Sequence, residues 1–566
     1  MAMHVLSAAE MQACDRVTTE RFGVAPLDLM RAAAAAVAQM VRVEFPLARR
    51  VTVLCGKGNN GGDGMMAARL LADAGLEVTT LLLGDPEALT GDAMVAYLEL
   101  LMKAGEEGTR NPPRAILVAE DMRTHKAPQH ADLIVDAVVG TGFNPPLRGL
   151  ALAALDWVKE IGAPVLSVDV PSGWSADATG ALVEGPVFPS DAVVTFTAPK
   201  PAHVLGQLTR AWDQPVVVAP IGSPEEAIDS VLGPDSLGLR WAGSSMELVQ
   251  APRATAANKG NFGHVLVVGG SLGPAGGRAG APAMTALAAL RSGAGLVTAA
   301  IPAPALALVA AVATELMTLP LTASPAGRIS AENLAPEALV TMLAGKTVLA
   351  IGPGLGQGPE TAEFVAGLLA ATKIPAIIDA DALNILASRP DLLADVSAMA
   401  KDGRTIVLTP HPGEMARLAG ITVAQVQANR LEVAQEFAER FGVTLVLKGA
   451  RTLIAHPDGQ VAVNTTGNPG MAKGGSGDLL TGLVAGLVAQ FPGDAGRAVE
   501  AAVYLHGLAA DLAVRSPDGP HDEHTLLATD SLQQFSRAFR FHSRGSNGYV
   551  WLQGASHAAA PDEVRG

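Results

Sequence analysis

Cysteine is almost absent: Cys14 and Cys55 are the only two in 566 residues. Two thiols so far apart build neither a disulfide framework nor a zinc knuckle, and both are expected to be reduced, buried or inert. Aromatic residues are scarce as well, at 4%, so Ala, Val, Leu and Gly must fill the cores. No basic block interrupts a chain with 40 Lys+Arg against 55 Asp+Glu and a formal charge of −15. That balance speaks against nucleic acid or an anionic membrane as a partner. Any anionic ligand must be caught by local backbone donors and a few placed cations. No run reaches the roughly 18 uninterrupted apolar residues of a membrane span, and the alanine-rich segment Arg31–Met40 reads as a packed helix. The opening Met1-Ala-Met-His-Val-Leu-Ser7 has no basic region leading into an apolar one. No signal peptide is therefore expected, and the cytoplasm is the expected address.

What is present is length and a rhythm. A chain of 566 residues, 49% hydrophobic, outgrows a single core and predicts two or more domains. Short Val/Ile/Leu runs ending in glycine predict α/β layers with buried parallel strands. In the first half these runs are Val51–Cys55, Glu77–Leu83, Asp132–Val139, Val165–Val170 and Asp191–Thr197, with helical segments such as Met65–Ala74 and Ala151–Ile161 between them. This is the alternation of a doubly wound, Rossmann-like sheet, which holds ligands at the C-terminal ends of its strands. The pattern weakens through Gly222–Ser245 and restarts with Val265–Val268, Leu296–Ile301, Val348–Ile351, Ala376–Asp379, Thr405–Leu408 and Thr444–Leu447. A hairpin over Thr452–Val463, turning at Pro457-Asp-Gly459, follows. The expected division is a domain over 1–222, a linker over 223–245, a second domain over 246–540 and a poorly ordered tail over 541–566.

The chemistry concentrates in loops. Asn468-Pro-Gly-Met-Ala-Lys-Gly-Gly-Ser-Gly-Asp478 opens directly into the apolar stretch Leu479–Leu487. A glycine turn at a helix start aims free N–H groups, and the positive end of the helix dipole, at one spot suited to phosphate. Asp478 on the first turn is placed to take a proton from a substrate hydroxyl, and the pair suggests phosphoryl transfer to an alcohol. By itself such a turn is equally a plain lead-in to a buried helix. In the first half, Cys55-Gly-Lys-Gly-Asn-Asn-Gly-Gly-Asp-Gly64 joins a strand to a helix. Its glycines read as backbone freedom, while Asn59, Asn60 and Asp63 supply amides and oxygens. The loop can wrap a phosphate or offer oxygens to a cation; without Gly-Lys-Ser/Thr it is no Walker A loop. Asp136 ends a strand ahead of Gly140-Thr-Gly-Phe-Asn-Pro-Pro146, and Asp169 ends another in Val168-Asp-Val-Pro-Ser-Gly173. A lone Asp at a strand end is more often a helix cap. Convergence of Asn60, Asp136, Asp169 and Ser172 in one crevice would instead give hard oxygen ligands for an alkali or alkaline-earth cation.

Taken together, these three first-half motifs resemble the epimerase domain of the bifunctional NAD(P)H-hydrate repair enzymes, over roughly residues 1–222. The second half is similar to the ribokinase-like hydrate dehydratase domain fused to that epimerase, over about 246–540. The motifs that carry this are Lys259–Gly270, Gly280–Met284, Arg291–Val297, Gly352-Pro-Gly-Leu-Gly356, Asp379-Ala-Asp-Ala-Leu-Asn384, Thr409-Pro-His-Pro-Gly-Glu414, Lys448-Gly-Ala-Arg-Thr452 and Gly474-Gly-Ser-Gly-Asp478. Met471-Ala-Lys473 departs slightly from the family's threonine there. The resemblance implies interconversion of the R and S forms of hydrated NADH and NADPH in the first half. In the second it implies Mg²⁺- and ADP-dependent dehydration of the S form, with ADP favoured over ATP because the domains are fused.

Residue by residue, the resemblance implies that the hydrate is held by Asn59, Asn60, Gly61, Gly62 and Asp63, by Gly140, Thr141, Gly142, Phe143, Asn144, Pro145 and Pro146, and by Asp169. A carboxylate such as the candidate catalytic Asp169 could shuttle the proton that epimerisation needs, and which residue is the base stays open. Potassium is implied at Asn60, Asp136 and Ser172. In the second half Ala281, Gly356, His411 and the catalytic Asp478 face the hydrate, while Lys448, Gly449, Ala450, Arg451, Thr452 and Gly477 hold the nucleotide. His411 in isolation is a loop histidine; between two prolines it reads as a substrate contact, and Glu414 reads equally as a helix-start residue or a Mg²⁺ ligand. By analogy with the family, assembly into a homo-oligomer is also expected. The competing reading is a kinase of a small vitamin or sugar alcohol carrying a non-catalytic N-terminal binding module.

Overall fold

The computed structural model describes residues 2–105, 111–118, 122, 128–234, 236–274, 276–515 and 519–554. The chain divides into two compact units, one of residues 3–239 with those from His542 onward, the other essentially Arg240–Phe541.

The first unit is built on an eight-stranded sheet. Its spatial order is Val550–Gln553, Val216–Ala219, Ala192–Phe196, Val165–Val168, Leu133–Ala137, Arg50–Cys55, Glu77–Leu83 and Arg114–Val118. Seven of these strands are parallel, and Val550–Gln553 runs antiparallel to Val216–Ala219. Parallel strands are covered on both faces, which is why they read as continuous Val/Leu/Ile runs. From Arg50–Cys55 the chain winds outward through Glu77–Leu83, then returns to the other side at Leu133–Ala137. The reversal leaves a crevice between those two strand ends, where such sheets take ligands.

Three expectations are corrected here. The helix placed at Met65–Ala74 begins at Asn59 and runs to Asp73, so Asn59–Asp63 form its first turn rather than a free loop. The stretch 223–245 is no open linker. It carries the helix Glu225–Asp229, whose Ala227 is fully buried in a cluster with Leu6, Met11 and Cys14. The tail expected to be poorly ordered from His542 folds back through 554: Val550, Trp551 and Leu552 are buried, and Trp551 joins the main core with Phe196 and Val217. Among glycine, serine and alanine, Val550–Gln553 is too short to show a period; pairing with an open sheet edge is what orders it. The remainder of that expected tail, 555–566, lies outside the described residues.

In the second unit the sheet includes, in order, Val461–Val463, Leu453–Ala455, Thr444–Leu447, Ile406–Leu408, Ala376–Ile378, Val348–Ile351, His264–Val268, Leu296–Pro302 and Met317–Leu321. The strands are parallel up to Thr444–Leu447, and the hairpin beyond it is antiparallel, turning at Gly459 with φ +81°. The helix Ser476–Gln490 is buried from Leu479 through Ala489 and packs on Gly280–Arg291. Two glycines permit the approach: a Cβ on Gly482 would overlap the Thr285 carbonyl, and one on Gly486 the Ser292 hydroxyl. Burying Leu479, Leu480, Leu483 and Leu487 contributes about 1.5–3 kcal/mol each, which holds the helix in place, and its first turn carries Asp478.

Candidate active sites

In the first unit the glycines of Cys55–Gly64 act by close approach rather than by unusual backbone angles. None of Gly56, Gly58, Gly61, Gly62 and Gly64 has positive φ. A Cβ on Gly56 would overlap the Val138 carbonyl, one on Gly61 the Gly56 carbonyl, and one on Gly64 would sit 2.6 Å from Ala137 Cβ. The helix is thereby pressed into the crevice with Asn59 and Asn60 at its mouth.

Asn60 donates to the Val139 carbonyl at 3.0 Å, while its Oδ1 is buried without a hydrogen-bond partner. The Val139 N–H donates to Ser172 Oγ at 3.0 Å, and Ser172 donates in turn to Asp136 Oδ1 at 2.6 Å. Asp136 also accepts from the Ser172 N–H at 2.8 Å, and burial pushes its carboxyl up to about 6 against those bonds. Asn60, Asp136 and Ser172 are therefore one connected oxygen cluster, with one oxygen unsatisfied.

Beside it opens a cavity of about 950 Å³ lined by Asn59, Asn60, Asp63, Gly140, Thr141, Gly142, Phe143, Asn144 and Asp169. Gly61 and Gly62 are buried behind it, and Pro145 and Pro146 do not line it. Asp169 sits at φ +65°, a strained position for a non-glycine residue. Its Oδ1 accepts from Lys200 Nζ and Thr195 Oγ1, both at 2.9 Å, and its Oδ2 from the Thr141 N–H at 3.0 Å. Burial works to raise this carboxyl, but the Lys200 ammonium, with the Thr195 hydroxyl, outweighs it and holds it below the usual range. So engaged, Asp169 suits a fixed negative charge better than the proton shuttle expected of it. His203 Nδ1 accepts from the Lys200 N–H at 2.9 Å, and its Nε2 lies 2.7 Å from the Asp169 carbonyl. Burial, with Lys200, lowers this imidazole to about 4, so the neutral ring clamps the strained backbone. Sequence reasoning missed Lys200, a single lysine in Ala198-Pro199-Lys200-Pro201 just past a strand, and Asp15, which lines the same cavity.

In the second unit, Asp379 ends the strand Ala376–Ile378. It accepts from Lys448 Nζ at 3.0 Å and from Thr481 Oγ1 at 2.7 Å. Burial opposes its ionisation, but Lys448 and Thr481 hold it below the ordinary carboxylate range. Asp478 lies close enough to feel both charges: burial, then Asp379, push its carboxyl up, Lys448 pulls it down, and the result is about 7. Gly475 opens the helix at φ +94°, and Gly477 faces the Lys448 ammonium, which a Cβ there would meet at 3.4 Å. Thr285 Oγ1 stands 3.0 Å from the carbonyl oxygens of both Ala281 and Asp478, tying those residues together.

Other expected residues take more structural places. His411 caps the helix Pro412–Ala419, its Nδ1 accepting from the Gly413 N–H at 2.9 Å, and its half-exposed ring places Nε2 3.5 Å from Glu414 Oε1. Glu414 accepts from the His411 N–H at 2.8 Å and lies 3.9 Å from Lys448 Nζ, which resolves it as a helix-start residue. Gly356 is buried, and its N–H donates to Asp381 at 2.8 Å. In Lys448–Thr452 the lysine points at Asp379, whereas Gly449, Ala450 and Arg451 form a turn with φ +143° at Gly449 and +54° at Arg451. Thr452 Oγ1 closes that turn on the Gly449 carbonyl at 2.9 Å.

A cavity beside an oxygen cluster in one α/β unit, and a carboxyl at the glycine-led start of a buried helix in the other, have the form of two separate active sites of one enzyme. Residues 265–531 match the family model of NAD(P)H-hydrate dehydratase, and residues 26–202 that of the YjeF-related protein N-terminus. Over 540 residues, 94% of this chain and 95% of the relative, it is 42% identical to the bifunctional NAD(P)H-hydrate repair enzyme of Moorella thermoacetica. It is 35% identical to that of Escherichia coli over 94% of this chain and 93% of the relative. A solved ADP/ATP-dependent NAD(P)H-hydrate dehydratase from Bacillus subtilis is 31% identical, covering 52% of this chain and 96% of its own, with a TM-score of 0.41. The chain belongs to the bifunctional NAD(P)H-hydrate repair enzymes. It is an epimerase and a nucleotide-dependent dehydratase in one polypeptide, and the reading as a small-alcohol kinase is set aside. Among the described residues no helix is long and apolar enough to cross a membrane.

Proposed function

We propose that the first unit interconverts the R and S hydrates within the cavity bounded by Asn59–Asp63, Gly140–Asn144 and Asp169. Its mostly apolar lining with a few placed polar groups, and its volume of about 950 Å³, suit a nicotinamide nucleotide. K⁺ fits the cluster of Asn60, Asp136 and Ser172, because Asn60 Oδ1 is a buried oxygen lacking any donor. When bound there it supplies positive charge that holds Asp136 ionised and the two loops together.

In the second unit the Asp478 carboxyl, poised near 7, takes the proton from the C6 hydroxyl as that oxygen attacks the terminal phosphoryl group of the nucleotide. The N–H groups of Gly475–Gly477 and the Lys448 ammonium steady the migrating charge. Mg²⁺ would come with the nucleotide phosphates and offset their charge. The ring nitrogen's lone pair then expels phosphate, and loss of a C5 proton restores the dihydronicotinamide. We read the nucleotide as ADP, giving AMP and phosphate, because the two units are fused.

The observation that carries this reading is the Asp478 carboxylate on the first turn of a helix, facing the Lys448–Asp379 pair. Its test is recovery of dihydronicotinamide absorbance from mixed R and S hydrates with Mg²⁺, K⁺ and either ADP or ATP. ADP should drive consumption of both epimers. Recovery stopping at the S fraction would count against the first unit's role, and recovery with ATP alone against ADP.

A further inference from the structure

The helix Ala8–Phe22 precedes the segment that matches the family model, which begins at residue 26. A capping box of Ser7 and Glu10 fixes its start. Met11, Asp15 and Thr19, spaced four apart and so on one helix face, all line the first unit's cavity. Asp15 therefore meets the same space as Asp169 and Lys200, and it is within electrostatic reach of both.

The two carboxylates differ in what holds them. Asp169 accepts three hydrogen bonds, from Lys200, Thr195 and Thr141. Asp15 Oδ1 is buried with no hydrogen-bond partner at all. A carboxylate saturated with donors stays ionised, whereas one stripped of water and given none keeps a proton readily. Pairs of carboxyls whose surroundings differ in this way divide acid and anion roles between them. Consistently, burial raises the Asp15 carboxyl to about 6, with Lys200 opposing and Asp169 adding to the rise.

Resting on the assignment of this cavity to the hydrates, we propose that Asp15 is the acid of the epimerisation and Asp169 the fixed anion beside the reacting ring. Asp15 gives its proton to the C6 hydroxyl, the C6–O bond breaks with its electron pair on oxygen, and water leaves. The N1 lone pair closes C6=N1, a cation that the ionised Asp169 steadies. Water adding to the opposite face of C6 releases one proton, which returns to Asp15. No electron, proton or co-reactant is left over.

The test uses the full chain without nucleotide, following R-to-S conversion by separating the two hydrates. Asp15→Asn should slow conversion by about 10²–10⁴-fold with KM for the hydrate unchanged. Asp15→Glu should restore part of the rate. The melting temperature should not fall, since an unpartnered carboxylate contributes nothing to the fold, and nucleotide-driven consumption of the S hydrate should proceed as in the parent chain. Conversion by Asp15→Asn at close to the parent rate would overturn the proposal. So would a defect confined to KM, or a loss matched by a lowered melting temperature. A parent chain that does not interconvert the hydrates would instead strike the cavity's assignment and take this inference with it.

Discussion

Lys448 Nζ lies 3.0 Å from Asp379 Oδ1, and that pair adjusts the proton affinity that burial gives Asp478. Burial and the Asp379 charge raise the Asp478 carboxyl, while Lys448 restrains it near 7. A base works only when deprotonated, so kcat/KM for the S hydrate should rise with pH through about 7. Lys448→Met removes the restraint and should move that limb to higher pH, measurable as a kcat/KM profile at saturating nucleotide. An unmoved limb would show that Asp478 is not the titrating base. Asp478→Asn should cost about 10²–10⁴-fold in dehydration while leaving epimerisation untouched.

Lys200 and Asp169 form the corresponding pair of the first unit, 2.9 Å apart with side chains 2% and 9% exposed. Removing one partner of a buried pair leaves an uncompensated charge, so Lys200→Met should destabilise this unit by about 3–5 kcal/mol at neutral pH. The pH dependence carries a sign. In the parent chain the Asp169 carboxyl is depressed, so its contribution is present above its unfolded pKa of about 3.9 and is lost in acid. In the variant the ammonium that opposed burial is gone, so burial raises that carboxyl against the Thr195 and Thr141 hydrogen bonds that remain, and the penalty should shrink as pH falls. Calorimetry of the two chains at neutral and acid pH compares them; a penalty that does not change with pH would show that Asp169 is not ionised in the fold.

Potassium makes a third measurement. If Asn60 Oδ1, buried without a donor, receives a cation, K⁺ should raise the melting temperature of the first unit more than Na⁺ does. Saturation at a hundred times Kd corresponds to about 2.7 kcal/mol. Asn60→Leu, which removes the oxygen, should abolish that K⁺-specific shift, whether or not activity survives. A shift of equal size in the variant would place the cation elsewhere.

How legible these sites were depended on the reach of each signal. Strand ends carrying Asp136 and Asp169 stood out because a buried parallel strand is a continuous apolar run broken by a single acid. The glycines of Cys55–Gly64 marked the right loop for the wrong reason: they are small because Val138, Gly56 and Ala137 lie against them, contacts invisible in one segment. Lys200 and Asp15 stayed hidden because neither lies in a motif; only the fold brings both to Asp169. Lys448 lies in a motif, but its charge partner Asp379 comes from a distant strand end that its own segment does not reveal.

The C-terminal strand leads to the last prediction. Val550–Gln553 pairs with Val216–Ala219, and Gln553 Nε2 donates to Thr209 Oγ1 and to the Gln214 carbonyl, both at 3.1 Å. Trp551 is 5% exposed among Phe196, Val217 and Ala219. The epimerase fold is thus completed by residues that follow the dehydratase in sequence. Trp551→Ala should destabilise the first unit by about 3–5 kcal/mol, and ending the chain after Phe541 should also bare the edge of Val216–Ala219 to pairing between molecules. Dehydration of the S hydrate should persist in both variants, while R-to-S conversion declines at temperatures the parent tolerates and the truncated chain aggregates first. Epimerisation of undiminished thermal resistance after truncation would show that this strand only decorates the sheet.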